Sequence, residues 1–371
     1  MRLWYIFLWG NKLRRGNPRT MGSLLDLLAG AASAVVLLAF LGFIYQKVGT
    51  ARDLRKHPPL GKLLDIGGRR LHLWCTGEGS PTVVLDSGLP GSSLSWTLVQ
   101  PEVAKFTRVC SYDRAGLGWS DPGLRPRTTA RIVEELRALL TRAGIQPPYV
   151  LVGHSFGAFT ARLFASQCPD EVVGMVLVDP IHPREWLELR PEQKRGLRRA
   201  VQLSRYAAFL VALGLGRVVA WLIRIGAGDL ARFLVLLVSG GAMRGRESLM
   251  ESVWKLPPEL RSTVGVFWTQ PKSYRAMADQ IEALPESAAQ VTAASEYGDM
   301  PLVVLSARNS DSGRMPDHDA VAQLSSSGRH IVARDSGHWI QLDRPELVVT
   351  AIRDVCEAAR RRRLGQSAAR A

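Results

Sequence analysis

The sequence predicts an α/β architecture, a mostly parallel sheet flanked by helices, on three observations. Short apolar runs alternate with segments of helical period from Thr82 to Val178. A Gly-x-Ser-x-Gly pentapeptide, Gly153-His-Ser-Phe-Gly157, joins one apolar run, Tyr149 to Val152, directly to the helical pattern Ala158 to Ser166. The alternation resumes at Leu302 after a long helical interruption.

A chain of 371 residues with 46% hydrophobic content holds one large or two ordinary domains and is not mainly disordered. The formal charge of +15 and pI near 10.2 raise nucleic acid as a partner. The chain carries no zinc-finger spacing, recognition-helix pattern or aromatic RNA-binding motif, so no nucleic acid is expected. An anionic membrane surface suits the excess arginine better. Cys75, Cys110, Cys168 and Cys356 lack metal-ligand or redox spacing, so buried free thiols are the default and no pairing can be deduced.

Residues 1–26 form a basic leader. Leu27 to Tyr45 is an uncharged run of about nineteen residues, which at about 1.5 Å per residue approaches the roughly 30 Å hydrocarbon thickness. A transmembrane helix is therefore expected over residues 27–46. The run exceeds the h-region of a cleaved signal peptide, about 7 to 15 residues, and lacks a small-residue cleavage site, so the anchor is expected to be retained. Arg2, Lys12, Arg14, Arg15 and Arg19 precede the span, while Lys47, Arg52, Arg55 and Lys56 follow it. The positive-inside bias is nearly balanced, and the side that carries the rest of the chain stays open. A start at Met21 would favour the cytoplasm; the leader, if kept, slightly favours the opposite side.

After a proline-containing linker, residues 47–61, the first part of the core is expected over residues 62–180. Two β-type runs, Lys62 to Ile66 and Arg69 to Thr76, flank Gly67-Gly68 and read as a hairpin. Thr82 to Asp86 is a continuous apolar strand, and Ser87-Gly-Leu-Pro-Gly91 turns the chain toward a helical pattern, Ser95 to Lys105. Arg108 to Tyr112 is the next strand, ending in Asp113-Arg-Ala-Gly-Leu-Gly-Trp-Ser-Asp121, a loop by its glycines. Thr128 to Ala143 places Ile132, Leu136, Leu139 and Leu140 at helical spacing, with Gly144 as its stop. The serine turn follows, and then the strand Val172 to Val178, which ends in Asp179-Pro-Ile-His-Pro183.

Residues 181–295 form an inserted helical cap, with a basic patch at Lys194, Arg195, Arg198 and Arg199. Its apolar stretches, Tyr206 to Ile223 and Leu230 to Val238, raise a second membrane span, but Gly214, Gly216, Arg217 and Arg224 interrupt the run. A cap whose apolar face meets lipid or shapes a greasy pocket accounts for the same residues. The core resumes over residues 296–360 with strands Leu302 to Ser306 and His330 to Ala333 and a short helix near Asp319 to Leu324. The final helix, Pro345 to Arg360, points Leu347, Val348, Ile352 and Val355 inward, and residues 361–371 form a basic tail.

A strand that turns abruptly into a helix needs side chains absent on both sides of the corner, and Gly153 and Gly157 supply that room. A serine hydroxyl is a weak nucleophile at neutral pH. Ser155 therefore also requires a base within hydrogen-bond reach and donors for a developing oxyanion, and the pentapeptide alone supplies neither.

Four motifs answer that need: Asp86-Ser-Gly-Leu-Pro90, Tyr112-Asp-Arg-Ala-Gly-Leu-Gly-Trp-Ser120, Gly153-His-Ser-Phe-Gly157 and Ser336-Gly-His-Trp339. In this order they resemble the α/β-hydrolase superfamily, and the resemblance runs from about Leu63 to Arg360 apart from the middle insertion. It implies an α/β-hydrolase fold with Ser155 as nucleophile, His338 as general base, and the backbone N–H groups of Leu89 and Phe156 as oxyanion hole. The chain departs from the family at Ser87-Gly88, where a His-Gly pair is more common; the backbone role survives and one usual side chain is lost. The orienting acid has two candidates. Most members carry it after the penultimate strand, where Asp311 lies about one residue late, and a minority carry it after the strand following the nucleophile, where Asp179 sits. Asp179 is narrowly favoured. Asp317 and Asp319 read as helix-start residues, the Asp113 to Ser120 loop as a brace, and His154 as structural. His72, His318 and His330 have no chemical context, and His182 is placed at the mouth of the cap.

The expected function is that of a membrane-anchored serine hydrolase, cleaving an ester-like bond of a small hydrophobic or lipid-like substrate without metal or organic cofactor. A carbon–carbon bond hydrolase or cofactor-free perhydrolase would use the same triad, and a non-catalytic lipid-surface protein would keep only the fold. Epoxide hydrolases and haloalkane dehalogenases share the fold but use an aspartate where Ser155 stands. The oligomeric state is open.

Overall fold

Strand-by-strand alternation sorts the apolar residues of this chain onto two faces of one sheet. The computed structural model describes residues 18–227, 229–230, 253–293, 296–307 and 317–370. Its strands are β1 (Lys62–Asp65), β2 (Arg70–Thr76), β3 (Thr82–Asp86), β4 (Val109–Tyr112), β5 (Tyr149–His154), β6 (Val172–Val178), β7 (Leu302–Ala307) and β8 (Gly328–Ala333). They lie in the order β1-β2-β4-β3-β5-β6-β7-β8. The β1–β2 and β2–β4 pairs are antiparallel, and all others are parallel. Val83, Leu85, Val150, Val152, Val176, Val178, Val303 and Leu305 share one buried cluster, while Val84, Leu151, Met175, Leu177, Leu302 and Val304 share the other. A side-chain period of two dictates that division.

Helices close both faces. The first face is covered by α13 (Pro345–Arg370) through Val348, Ile352 and Val355. The second is covered by α3 (Thr129–Arg142) and α4 (Gly157–Gln167) through Ile132, Leu136, Leu139, Phe159 and Phe164, and by α10 (Leu284–Thr292) through Ala288 and Val291. Each such leucine, valine or phenylalanine contributes about 1.5–3 kcal/mol by leaving water. Between β6 and β7 the chain leaves the sheet to form α5 (Arg184–Leu187), α6 (Pro191–Ala212), α7 (Leu215–Arg224), α8 (Pro258–Trp268), α9 (Pro271–Glu282) and α10. A buried bidentate pair, Arg127 to Glu135 at 2.7 and 2.8 Å, pins the start of α3.

Four expectations change. Helix α1 (Pro18–Lys56) runs through the apolar stretch and continues into the expected linker. Tertiary contacts hold that extension, including an Arg217–Asp53 ion pair at 2.7 Å. The Ser95 to Lys105 segment is not one helix but a 3-10 turn, Ser93–Trp96, followed by the single turn of α2 (Gln100–Val103). Serine hydroxyls compete there for the backbone, with Ser87 Oγ and Ser95 Oγ both donating to the Ser92 carbonyl, and Asp113 Oδ1 taking the Ser93 N–H. The expected basic tail continues α13 to Arg370, and Arg360 and Arg362 bond the Ser80 carbonyl and Asp299 of the core. Finally, Cys75 and Cys110 are not free thiols. They face each other in the β2–β4 register and are joined by a disulfide, whereas Cys168 and Cys356 are buried and free.

The apolar part of α1 stands apart from the sheet. The stretch Asp26–Lys56 reaches a mean hydropathy of 2.5 over a window that buries nothing against the chain, and by length and composition it is a candidate membrane span.

Peptide mapping of unreduced protein is expected to recover Cys75 linked to Cys110, with Cys168 and Cys356 alkylated only after denaturation. Recovery of Cys75 and Cys110 as free thiols would contradict the disulfide and leave the strand register untouched.

Candidate active site

The site begins with a steric demand. β5 ends at His154 and α4 starts at Gly157, so Ser155 and Phe156 make the whole corner. Ser155 adopts φ 51°, a conformation that costs a non-glycine residue about 1–3 kcal/mol. Its N–H donates to the Val178 carbonyl at 2.9 Å, and its own carbonyl accepts from Ala158 N–H at 3.1 Å. A Cβ on Gly157 would lie 2.5 Å from the Asp86 carbonyl oxygen, and one on Gly153 would overlap the Gly157 carbonyl. The chain leaving β3 crosses equally close: a Cβ on Gly88 would lie 2.8 Å from His154 Nδ1 and 3.0 Å from Ser155 Cβ. Gly88 thus passes directly against Ser155 one residue before Leu89, and Phe156 opens α4.

Asp179 follows β6 and also takes a positive φ, 41°. Both carboxylate oxygens have work: Oδ1 accepts the Ala307 N–H at 3.0 Å, and Oδ2 accepts His338 Nδ1 at 2.6 Å. The Asp179 N–H donates to the Leu305 carbonyl at 2.7 Å, so the end of β7 fixes the residue from two sides. With Nδ1–H given to the carboxylate, the imidazole of His338 presents its Nε2 lone pair elsewhere. The buried aspartate faces a histidine whose side chain is 44% exposed, so the pair has one open side.

Two neighbours steady His338. His154 lies fully buried, its ring 4.7 Å from that of His338, and its Nε2–H donates to the His338 carbonyl at 2.9 Å. Burial first, and then repulsion from His338, hold the His154 pKa well below the ordinary histidine value, so it stays neutral. Asp343, the last residue of α12 (Ile340–Asp343), accepts the Gly337 N–H through Oδ2 at 3.0 Å, and Lys255 pairs with Oδ1 of the same carboxylate at 2.7 Å. His154 was legible only as structural, and the role of Asp343 has no sequence signal.

Arg114 has the most consequential position that sequence reasoning passed over. It is buried, and it donates to Asp86 Oδ1 at 2.7 Å, to the Ser87 carbonyl, to the Gly88 carbonyl at 2.7 Å and to Gln280 of α9 at 3.0 Å. Gripping the carbonyls of Ser87 and Gly88 orients the peptides leading to Leu89. Its place within the Asp113-to-Ser120 motif was the available signal. The loop itself is braced by Asp113, which accepts from Ser93 N–H, Trp119 N–H and His72. Burial alone would raise the Asp113 pKa, but the hydrogen bonds from His72, Ser93 and Trp119 outweigh it and lower the value. Lys272 of α9 ties cap to loop, donating to the Gly118 and Ser120 carbonyls at 2.8 Å each, and burial pushes its pKa down to about 8.

The remaining candidates are placed as follows. Asp311 lies outside the described residues. His182 is half-buried and accepts the Arg184 N–H at 3.2 Å, and His318 donates to the Pro180 carbonyl at 3.0 Å. His330 bridges Ser306 and Asp319 at 2.7 Å each, and Asp317 caps α11 (His318–Ala322). A cavity opens beside Pro90 and Trp339, and Leu94, Leu256, Val264 and Phe267 give it an apolar wall. No group of three or more metal-ligating side chains occurs among the described residues.

Comparison with known proteins places this architecture. Residues 81–345 match the profile of the alpha/beta hydrolase fold family. The uncharacterized protein YqjL of Bacillus subtilis (strain 168) is 36% identical over 104 residues, covering 28% of this chain and 41% of YqjL. The chain spans about half or less of the length of the curated relatives it matches. Among solved structures, an esterase from Thermogutta terrifontis superposes with a TM-score of 0.57 at 22% identity, over 80% of this chain and 98% of the esterase. The epoxide hydrolase CorEH gives 0.55 at 17% identity, over 78% and 95%. At these identities the structural likeness speaks for the fold.

Two outcomes follow from the buried groups. Removing the guanidinium in Arg114→Met leaves Asp86 buried and unpaired, and denaturant unfolding is expected to show a loss of about 3–5 kcal/mol. Burial also lowers the pKa of His154 and of His318 relative to the unfolded chain. Below about pH 6.5 the unfolded state gains protons that the folded state refuses, so stability falls by up to about 1.4 kcal/mol per pH unit for each histidine. The thermal midpoint is thus expected to hold from pH 8 to 7 and to drop below pH 6.5, as the histidine reference value requires. His154→Gln keeps a donor for the His338 carbonyl and should flatten the drop; an unchanged slope would remove His154 from the account.

Proposed function

The chain belongs to the alpha/beta hydrolase fold family, and from that membership we propose that it is a membrane-anchored serine hydrolase acting on an ester-like bond of a hydrophobic substrate. The observation that carries the reading is Asp179 Oδ2 engaging His338 Nδ1 at 2.6 Å, with Ser155 on its positive-φ corner next to His154, whose ring lies 4.7 Å from that of His338. A histidine so held has the tautomer that a serine nucleophile needs.

In the proposed reaction His338 Nε2 takes the Ser155 proton as Oγ attacks the substrate carbonyl. The Leu89 and Phe156 N–H groups receive the oxyanion, and the leaving group departs with the proton from His338. Water then attacks the acyl-enzyme with His338 again as base. Asp179 stabilises the imidazolium through each step. Ser155 also argues against epoxide or haloalkane chemistry, in which an aspartate occupies the corner.

The apolar cavity beside Pro90 and Trp339 supports a hydrophobic acyl or alcohol group, and the exposed apolar run of α1 supports anchoring. The Cys75–Cys110 disulfide supports placing the hydrolase part on the oxidising side of the membrane.

A fluorophosphonate probe tests the core of the proposal. Native protein is expected to label, and Ser155→Ala to abolish labelling. Asp179→Asn should slow it by about 10⁴-fold if the carboxylate holds the tautomer as in serine proteases. Native protein that stays unlabelled would sink the hydrolase reading and favour a non-catalytic lipid-surface role. A p-nitrophenyl ester series should then favour longer acyl chains; a preference for acetate would count against a lipid-like substrate.

A further inference from the structure

The α6–α7 corner is bolted to α1 at one particular height. Gly42 meets the Leu213 carbonyl so closely that no Cβ would fit, and a Cβ on Gly214, at φ 84°, would lie 3.0 Å from the Tyr45 ring. Arg217 then runs along α1, its guanidinium against Gly49, donating to Thr50 at 3.3 Å and pairing with Asp53 at 2.7 Å. Below the corner, Gln46 donates to the Thr269 carbonyl at the end of α8, at 2.7 Å and buried. Gly42 to Tyr45 is the last turn of the uncharged Leu27 to Tyr45 run. The corner therefore sits level with the place where that run ends and charged residues begin.

From this corner α7 turns away from α6 by 79° and presents apolar side chains outward. Phe209 on α6 and Val218, Trp221, Ile223 and Ile225 on or just after α7 are 40–57% exposed, and Tyr206 is 49% exposed. The only charges on α7 are Arg217 and Arg224. One amphipathic helix, aromatic residues at its level, and arginine as its only charge form the pattern of an element lying in the headgroup boundary. Arg217 is taken up by the largely buried pair with Asp53, which leaves Arg224 as the exposed charge of α7.

We propose that α7 with the outer face of α6 is an interfacial membrane element, seated in the acyl–headgroup boundary of the same bilayer that α1 crosses. This rests on the reading of α1 as a span. The rigid attachment selects lipid over a second copy of the chain, because the patch continues an exposed apolar helix at its border. The cap would then be held at the bilayer surface, and α8, which is tied to α1 through Thr269 and walls the apolar cavity, would take its substrate from the leaflet rather than from water.

The test uses the full chain in vesicles of phosphatidylcholine and phosphatidylglycerol. Phe43→Cys, Trp221→Cys, Ile223→Cys and Glu78→Cys are labelled one at a time with an environment-sensitive fluorophore, the native free thiols being buried. Labels at 221 and 223 are expected to be quenched by lipids brominated on the acyl chain, as at 43, and to resist aqueous iodide at least about threefold better than at 78. Iodide quenching at 221 and 223 equal to that at 78, with 43 still reached by brominated lipid, would overturn the interfacial helix and leave the anchor. Iodide access at 43 as well would overturn both. Shielding of 221 and 223 from iodide and brominated lipid alike would mean a protein surface covers them, which also overturns the proposal.

Discussion

Three pieces of backbone share a space in which no Cβ fits: the exit of β3 at Gly88, the end of β5 at Gly153, and the start of α4 at Gly157. The serine corner follows from that crowding. It holds Ser155 at a positive φ, sets Gly88 against Ser155 one residue before Leu89, and starts α4, with its positive dipole end, at Phe156. The sheet tolerates the compression because it is packed from both faces by large clusters. Strain of one or two kilocalories at a single residue is small beside the burial of the strands that flank it.

A second layer of order is electrostatic. Arg114 is buried among carbonyls and one carboxylate, a placement that offsets its desolvation only when all its partners are in place. It therefore makes the corner after β3 and helix α9 of the cap depend on one side chain. Lys272 does the same for the Asp113 loop, and His154 for the segment bearing His338. The core and cap are thus joined by buried polar groups, which specify a geometry more narrowly than apolar contact does.

Much of the fold was legible because it rests on periodicity. Every described strand lies where an apolar or alternating run predicts it, and the resemblance to the α/β-hydrolase superfamily agrees with the family match. What escaped depends on contacts between distant residues. Serine hydroxyls and Asp113 break the Ser95 to Lys105 pattern into a 3-10 turn and a single helical turn. The Cys75–Cys110 bond depends on a register that sequence does not state. Asp179 and Asp311 were near equals in sequence; Asp179 is seated against His338, and Asp311 lies outside the described residues. Arg114 was read only as part of a bracing loop, since its partners come from β3 and α9, and Asp343 went unmarked because a lone charge at a helix end carries no pattern.

The tether between Asp179 and β7 reaches beyond the histidine. Asp179 is the first residue past the sheet as the chain departs into the cap, and Leu305 and Ala307, its partners, lie toward the end of the strand to which the chain returns. The departure and return points are stitched to each other as well as to the sheet. An excursion closed at its base in this way adds chain entropy only slowly as it lengthens. The freedom this leaves belongs to the outer helices α5 to α7, whose length can change while Asp179 keeps its place, whereas α9 and α10 are committed to the core through Gln280, Lys272, Ala288 and Val291.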